Sequence, residues 1–341
     1  MDRREFLSLP NLAESAGQLL GFAGELALET TSLAETELAW LRFSHPAMAT
    51  TFELVLPFGT PEAFAIADEV FACIDAIEAQ LSVYRDDSEV SEINRRAAQE
   101  PVVVEEGLFC LLQLALRLHR ETEGAFDCAS HRLIECWGFF RGPPRVPSVE
   151  ERQQALAQSG SRWVVLDESQ RSVRFLRPGI ALNFGSIGKG YALDQAAEIL
   201  RRRGVCGLLH GGRSSVLGVG HPPGCPAGWC VAIRHPHDQE RLLAEVRLRE
   251  NALGTSAATF RYLEWAGRRL GHILDPRTGW PASGMLSATA IASTAAEADA
   301  LATAFFIMGP DKVRQFCEAH AGIAAILLPD AASAPQYFPP P

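Results

Sequence analysis

The sequence predicts an α+β fold, built on a mixed sheet with flanking helices and forming either one body or two interleaved subdomains. Short stretches alternate apolar and polar residues, as half-buried strands do. Other segments repeat apolar residues with helical period, as amphipathic helices do. The two kinds of segment do not alternate regularly, so hairpin-like and crossover connections are mixed. This mixture argues against a purely doubly wound sheet.

Individual elements are predicted from these periodicities and from stop signals such as Gly124. Helices are expected at 61–81, up to Asn94, at 107–123, from a Ser148–Glu151 capping box to about 158, from Lys189 onward, and at 294–309. Strands are expected at 51–57, 162–167, 172–177, 180–184, 205–209, 216–219, 229–234 and 242–248.

Composition describes an ordinary globular protein. Of 341 residues, 47% are hydrophobic and 21% are charged, and the net charge is −10. No run reaches the roughly 18 apolar residues that a bilayer-crossing helix needs. The negative charge argues against a general nucleic-acid-binding surface. The eight cysteines are scattered without a CxxC pair, which argues against a zinc knuckle and a dense disulfide framework.

The chain is predicted to divide into three segments. Residues 1–40 form a leader or a loosely attached segment, residues 41–330 the folded domain, and residues 331–341 a proline-rich tail. The motif RREFL at positions 3–7 is typical of the start of a twin-arginine export signal. Three glutamates interrupt the apolar core that such a signal needs. The weak leader favours the cytoplasm, and export to the periplasm is the alternative.

The most informative stretch is NFGSIGKGYALD, residues 183–194. An apolar run ending at Leu182 gives way to a glycine-rich turn, and a helical pattern opens at Lys189. Glycines let a ligand approach the main chain closely, and a helix N-terminus beside a lysine suits a phosphate. An ordinary strand-to-helix turn would give the same pattern. Neither a Walker loop nor the dinucleotide fingerprint fits, because Gly190 follows the lysine and the glycine spacing differs.

A second stretch, residues 294–309, predicts a helix that opens with a capping box of Thr294 and Glu297. Within it, Asp299 and Thr303 share a helix face because they stand one turn apart. A carboxylate among alanines needs a partner. That partner is either a nearby serine or Lys189, or a magnesium ion bound by the carboxylate and the Thr303 hydroxyl.

A third stretch, HILDPRTGWP at 272–281, reads as consecutive turns that form a rigid loop. His272 at its start could act as a general base near neutral pH, or it could simply be a hydrogen-bonding loop residue. Upstream, Thr255 and Ser256 offer hydroxyls that could bind a phosphate.

Taken together, these stretches resemble the ApbE family of FAD:protein FMN transferases. The ordered set is specific, above all HILDPRTG followed by ADALAT, and it extends over roughly residues 45–330. The other matching pieces are Met48 with Thr50-Thr51-Phe52, Ser82-Val83-Tyr84 followed by Asp87-Ser88-Glu89, Gly124 to Asp127, Trp137-Gly138-Phe139 and Gly211-Gly212.

The resemblance implies an ApbE-like fold and an enzyme that binds FAD and Mg²⁺, cleaves the pyrophosphate, attaches FMN to a Thr or Ser hydroxyl of an acceptor protein and releases AMP. It implies metal ligands at Asp299, Thr303 and the backbone carbonyl of Ser186. His272 would help to deprotonate the acceptor hydroxyl, and Lys189 would neutralise the diphosphate. Flavin and nucleotide contacts would fall on Met48, Tyr84, Ala125, Phe126, Asp127, Asn183 and Lys189.

The sequence departs from the family pattern at several of these positions. Asn183 stands where an aspartate is common, and Arg213 stands where an acidic residue is frequent. Ser186 and Gly188 replace more usual small residues. Two alternative functions therefore stay open: a pyrophosphatase that hydrolyses FAD to FMN and AMP, and a non-catalytic FAD-binding protein.

Overall fold

The computed structural model describes residues 39–257 and 262–339. The strands in chain order are β1 (Trp40–Ala47), β2 (Thr50–Pro57), β3 (Val102–Val103), β4 (Val164–Asp167), β5 (Ser172–Phe175), β6 (Gly207–Gly211), β7 (Ser215–Val219), β8 (Trp229–His235), β9 (Asp238–Leu248), β10 (Asn251–Ala257), β11 (Tyr262–Trp265), β12 (Arg268–Gly271), β13 (Leu274–Asp275), β14 (Trp280–Pro281), β15 (Met285–Ala292), β16 (Ala324–Pro329) and β17 (Gln336–Phe338). The helices are α1 (Ala63–Leu81), α2 (Glu89–Arg96), α3 (Glu106–Glu121), α4 (His131–Cys136), α5 (Val149–Ala157), α6 (Gly188–Arg202), α7 (Ala295–Met308) and α8 (Pro310–Ala319).

An eight-stranded sheet organises the domain, with strand order β1-β2-β6-β7-β10-β15-β16-β17. The predicted α+β class is confirmed. Neighbouring strands in this sheet pair antiparallel throughout, whereas mixed pairing was expected. Although a long connection separates β2 from β6, these two strands run antiparallel to each other, as do the other neighbouring strands of the sheet.

The two faces of this sheet bury different layers, because alternate side chains of a strand point to opposite faces. On β2, Leu54 and Leu56 pack in the core formed with α1 and α6. Val55 between them packs on the opposite face, where the β8–β9 hairpin supplies Trp229 and Val231. Helix α7 packs on the helical side against β10 and β15, so the sheet supports the helix that carries Asp299.

The segment between β2 and β6 carries α1 to α6 and a small sheet of order β3-β5-β4. Its largest fully buried side chain is Trp137, whose indole N–H donates to the carbonyl oxygen of Gly279 at 2.9 Å. This bond joins the segment to the turn between β13 and β14. The described residues from 39 onward form one compact unit.

The strand predicted at 180–184 is not formed, although Ile180, Leu182 and Phe184 are buried as expected. The backbone there bonds to a side chain instead of a neighbouring strand. Asn94 accepts from the N–H of Leu182 at 2.7 Å and donates to its carbonyl at 3.0 Å. The N–H of Asn183 donates to the carbonyl of Cys128 at 2.7 Å. Hydrogen bonds to residues distant in sequence thus replace the strand pairing that the apolar run predicted.

The predicted helix signals are largely confirmed. Ser148 and Glu151 form the reciprocal capping box of α5. At α7, the Thr294 hydroxyl accepts from the N–H of Glu297, and Gly309 ends the helix. The carboxylate of Glu297 does not complete the box, because it pairs with Arg117 at 2.8 Å.

The bounds predicted for the folded domain, residues 41–330, differ by a few residues from the bounds of the eight-stranded sheet. Strand β1 opens at Trp40, and the leader motif at 3–7 lies outside the described residues. At the other end, β17 pairs with β16, so residues 336–338 of the predicted tail belong to the sheet. Within the described ranges, no helix is long and apolar enough to cross a membrane.

Candidate functional site

One end of the main sheet gathers two turns and one strand segment that the sequence singled out. Met48 lies in the β1–β2 turn with positive φ. The β6–β7 turn begins at Gly212, whose N–H donates to the carbonyl of Thr51 at 2.9 Å. A Cβ on Gly212 would lie 2.5 Å from the Thr50 hydroxyl oxygen, and its φ of +68° suits glycine. The strand register brings Ser215 of β7 opposite Gly254 of β10, so this end of the sheet also reaches Thr255 and Ser256.

Two glycines bring the helices and the sheet together behind this end. A Cβ on Gly190 in α6 would lie 2.1 Å from the carbonyl oxygen of Ala295. A Cβ on Gly254 in β10 would lie 2.7 Å from the backbone nitrogen of Asp299. Both distances are shorter than a real Cβ contact. The chain therefore packs backbone against backbone here, and Asp299 lies between α6 and β10.

Asp299 is a buried carboxylate with three polar neighbours on two other elements. Its Oδ2 accepts from the backbone N–H of Gly190 at 2.8 Å and lies 3.8 Å from the Nζ of Lys189. Its Oδ1 accepts from the Ser215 hydroxyl at 2.7 Å. Burial raises the pKa of Asp299, while Lys189, Ser215 and the Gly190 N–H act in the opposite direction by stabilising the charged form. The start of α6, directly after the glycine turn, thus contacts the α7 carboxylate.

Lys189 is one of only two lysines in the sequence, the other being Lys312. It lies in the first turn of α6, and its side chain is about three-quarters buried, at 24% exposure. The backbone N–H groups of this helix start are already engaged: that of Gly188 donates to the carbonyl of Phe184, and that of Gly190 donates to Asp299. The Lys189 ammonium is therefore the group at the start of α6 that could face a phosphate.

The α7 face beside Asp299 carries further oxygen atoms. The Thr303 hydroxyl donates to the carbonyl of Asp299 at 3.3 Å and lies 3.2 Å from the Ser256 hydroxyl. Thr255, adjacent to Ser256 on β10, points to the opposite face and pairs with the Thr289 hydroxyl at 2.8 Å. The two neighbouring hydroxyls are therefore separated by the sheet, and only Ser256 contacts α7.

These oxygen atoms fit a hard divalent cation. Within the described ranges, no three His, Cys, Asp or Glu side chains lie close enough to bind a metal ion among themselves. A site here would instead combine one carboxylate with hydroxyl and backbone carbonyl oxygens, and Mg²⁺ accepts such a set when substrate phosphates and water supply the rest. Asp299 and Thr303 supply oxygen atoms of this kind on one face of α7. The carbonyl of Ser186 stays a prediction.

A group of aromatic side chains is connected to the glycine turn through Asn183. Tyr84 is exposed and stacks on Phe140, with ring centroids 4.7 Å apart. The rings of His131 and Phe140 pack edge to face, with their centroids 4.5 Å apart. The amide Nδ2 of Asn183 lies 3.1 Å from the Nδ1 of His131, and the Asn183 Oδ1 accepts from the N–H of Gly185. A chain of contacts therefore links Tyr84 to Asn183 and the glycine turn.

The surroundings of His131 disfavour its charged form. Burial lowers its pKa below the usual value for histidine. The Asn183 amide can donate to the Nδ1 of a neutral His131, so an asparagine at position 183 is compatible with this ring.

His272 precedes β13 and is partly buried. Its ring lies 6.5 Å from that of Phe139, the residue next to Phe140. The predicted turns that follow are formed: the N–H groups of Thr278 and Gly279 both donate to the carbonyl of Asp275. Residues 139 and 140 thus contact His272 on one side and Tyr84 on the other.

The segment 125–127 contributes mainly to the core. Ala125 and Phe126 are almost fully buried, each at 1% exposure. The Asp127 carboxylate accepts from Ala129, from the N–H of Ser161, and from the Ser161 hydroxyl at 2.6 Å. Any ligand contact from Ala125 or Phe126 would therefore be made by the backbone.

Sequence reasoning missed several residues that position this site. Ser215 forms a hydrogen bond with Asp299, and Asn94 forms one with the backbone of Leu182. Asp194 caps α7 by accepting from the N–H groups of Ala295 and Ala296 at 2.7 and 2.9 Å. Burial raises the pKa of Asp194 to about 7, against the opposing effect of those two N–H groups. Asp194 belongs to the informative stretch at 183–194, but only the packing of α6 against α7 reveals its partners.

Comparison with known proteins relates this chain to one family along most of its length. The model of the ApbE family matches residues 48–327. A Klebsiella pneumoniae protein named FAD:protein FMN transferase is 33% identical over 278 residues, covering 78% of each chain. An Escherichia coli K12 protein of the same name is 31% identical over 258 residues, covering 73% of each.

Solved structures show the same fold. The ApbE protein of Thermotoga maritima superposes with a TM-score of 0.80 at 30% identity, covering 88% of this chain and 97% of that one. The flavin transferase ApbE of Vibrio cholerae gives a TM-score of 0.78 at 26% identity, with the same coverage. By its sequence, its fold and the ordered motifs at one end of its sheet, this chain belongs to the ApbE family.

Proposed function

We propose that this protein transfers FMN from FAD to a threonine or serine hydroxyl of an acceptor protein, in a magnesium-dependent reaction that releases AMP. Membership of the ApbE family and relatives named FAD:protein FMN transferase support the activity. The observation that carries it is the meeting of the buried Asp299 with Lys189 and the first turn of α6. That meeting puts a carboxylate that could bind a cation next to the ammonium group of Lys189, which could face a phosphate.

Asp299, Thr303 and the backbone carbonyl of Ser186 would hold Mg²⁺. A bound magnesium ion offsets the charge of a diphosphate and of the leaving phosphate. Ser215 and the Gly190 N–H keep the carboxylate in place through hydrogen bonds. Lys189 acts on the same diphosphate as charge develops on the oxygen that leaves.

The flavin and nucleotide would contact the side chains around the glycine turn. Tyr84 offers an exposed ring for stacking, and Met48 lies at the sheet end that carries Ser215 and Ser256. Asn183, the Ser256 hydroxyl, and the segment Ala125, Phe126 and Asp127 complete the proposed contacts. The Thr255 hydroxyl, predicted as a further contact, lies on the other face of the sheet and is not among them.

The chemical step is a displacement at the phosphorus atom of the FMN moiety. The acceptor hydroxyl oxygen forms a bond to this phosphorus, giving the phosphoester. The bond from phosphorus to the bridging oxygen breaks, and AMP leaves with the electron pair on that oxygen. His272 takes the hydroxyl proton on a ring nitrogen.

The test is incubation of the full-length protein with FAD, Mg²⁺ and an acceptor protein that bears an exposed threonine motif. We expect a mass increase of one FMN on the acceptor and an equal amount of AMP. Asp299→Ala should abolish both, whereas Asp311→Ala, which changes an exposed carboxylate on α8, should leave both unchanged.

The two alternative functions predict different products. Release of AMP and FMN without any acceptor, and no adduct when acceptor is present, would establish hydrolysis of FAD. FAD that stays intact for hours with Mg²⁺ and acceptor would establish a binding protein and overturn the transferase.

A further inference from the structure

A cleft of about 480 Å³ opens beside the last turn of α3, and none of the roles proposed above uses its basic side chains. Its lining includes Leu116, His119, Arg120, Glu123, Arg162 and Val164. The volume lies within the roughly 300–1,000 Å³ typical of small-molecule sites. The cleft therefore has room for a ligand larger than a single ion.

The charge of the cleft opposes the charge of the whole protein. Arg120 and Arg162 form no ion pair with any carboxylate in the part of the chain that the structure describes. Glu123 is the one acidic residue among the lining residues, and its carboxylate pairs with Lys312. Two guanidinium groups thus remain uncompensated in a protein of net charge −10, which favours an anionic ligand.

His119 is oriented toward the cleft by a buried carboxylate. Its Nδ1 lies 3.1 Å from the carbonyl oxygen of Phe126 and 3.3 Å from the Oδ2 of Asp127. Asp127 is itself held by Ser161, which also lines the cleft. The Nε2 of His119 lies on the opposite side of the ring and has no hydrogen-bond partner among the described residues. The cleft thus presents a fixed imidazole nitrogen.

Arg162 is also held by its surroundings. Its guanidinium lies over the ring of Trp163, 5.3 Å from the centroid. It also packs close to Gly160, where an added Cβ would lie 3.0 Å from the Arg162 Nη1. The helix dipole explains why cations stand in the last turn of α3, where His119 and Arg120 lie. It does not explain Arg162, which comes from the separate 3-10 turn at residues 161–163.

We propose that this cleft binds a phosphate monoester with an apolar or aromatic body. The phosphate would lie between the guanidinium groups of Arg120 and Arg162, with His119 Nε2 as a third partner, because arginine binds phosphate through paired N–H groups. Leu116 and Val164 would flank the body of the ligand. The lining of the cleft shares no residue with the Asp299 site, although Asp127, which holds His119, is also among the proposed flavin and nucleotide contacts.

Titration calorimetry with phenyl phosphate, at fixed ionic strength and without Mg²⁺, tests this site. We expect binding to the full-length protein that weakens at least about tenfold in Arg120→Gln/Arg162→Gln. A matched double variant, Arg42→Gln/Arg234→Gln, removes the same charge on β1 and β8 and should bind as the unmodified protein does. Lys189→Gln should also leave this affinity unchanged, because Lys189 belongs to the other site.

A second measurement needs no variant. Phenyl phosphate should protect Arg120 and Arg162 from phenylglyoxal, as read by peptide mass spectrometry, while Arg42 stays reactive. Several results would overturn the site: no binding of phenyl phosphate, equal binding of uncharged benzyl alcohol, or loss of binding in Lys189→Gln with retention in the double arginine variant. Full reactivity of both arginines in the presence of ligand would also overturn it.

Discussion

Asp299 of α7 accepts a hydrogen bond from the backbone N–H of Gly190 of α6 at 2.8 Å, although the two residues are 109 positions apart. This bond forms because Gly190 has no side chain to hold the helices apart. It ties a carboxylate to the helix start that carries Lys189, so the stability of the fold and the geometry of the candidate site depend on the same contact.

Gly190→Ala should therefore damage both stability and activity. The added Cβ would lie 2.1 Å from the Ala295 carbonyl oxygen, so α6 and α7 must move apart. We expect a loss of about 1–3 kcal/mol in the free energy of unfolding, measured by urea denaturation. Gly188→Ala is the matched control, because its Cβ would meet nothing closer than 3.4 Å. Equal stability of the two variants would contradict the close approach.

Lys189→Gln should lower the rate of FMN transfer by roughly 10²–10³, as loss of one preorganised electrostatic group does. Lys312→Gln removes the other lysine of the chain, which forms an exposed pair with Glu123, and should retain the activity of the unmodified protein. Initial rates of adduct formation provide the measurement. Similar rates for both variants would remove Lys189 from the proposed mechanism.

Asn183→Asp should raise the pKa of His131. Burial holds this pKa below the usual value, so the folded protein binds fewer protons here than the unfolded chain. The resulting stabilisation is present above about pH 6.5 and is lost as the pH falls toward the depressed folded pKa. An aspartate at 183 would favour the imidazolium and weaken this trend.

Imidazole nitrogen shifts from NMR titration report the His131 pKa directly. Denaturation at several pH values between about 4 and 7 reports the linked change in stability. Glu135, Arg132 and Arg141 also act on this ring and are the same in both proteins. An unchanged His131 titration in Asn183→Asp would show that the 183 side chain does not set it.

Asn94→Ala should destabilise the glycine turn. It removes both partners of the Leu182 backbone and leaves a buried N–H and carbonyl without hydrogen bonds. We expect a loss of about 1–3 kcal/mol in the free energy of unfolding. Asn251→Ala removes one side-chain bond to the Arg249 N–H in a more accessible turn, where water can replace it. A loss in Asn94→Ala no larger than in Asn251→Ala would argue against the clamp.

The sequence alone determined those features that depend on near neighbours in the chain. The helical period and the Thr294 cap predicted α7 and placed Asp299 and Thr303 on one face. The consecutive turn residues after His272 predicted the turn between β13 and β14, and the ordered motifs predicted the family. Each of these patterns extends over a few residues, where backbone preference and side-chain spacing decide the structure.

Only the tertiary structure decided which groups meet. An apolar run at 180–184 was compatible with a strand, but Asn94 took its hydrogen bonds. Thr255 and Ser256 are adjacent in sequence, yet the sheet directs them to opposite faces. Ser215 reaches Asp299 from 84 positions away. Contacts of this kind arise from the packing of elements distant in sequence, which local periodicity does not encode.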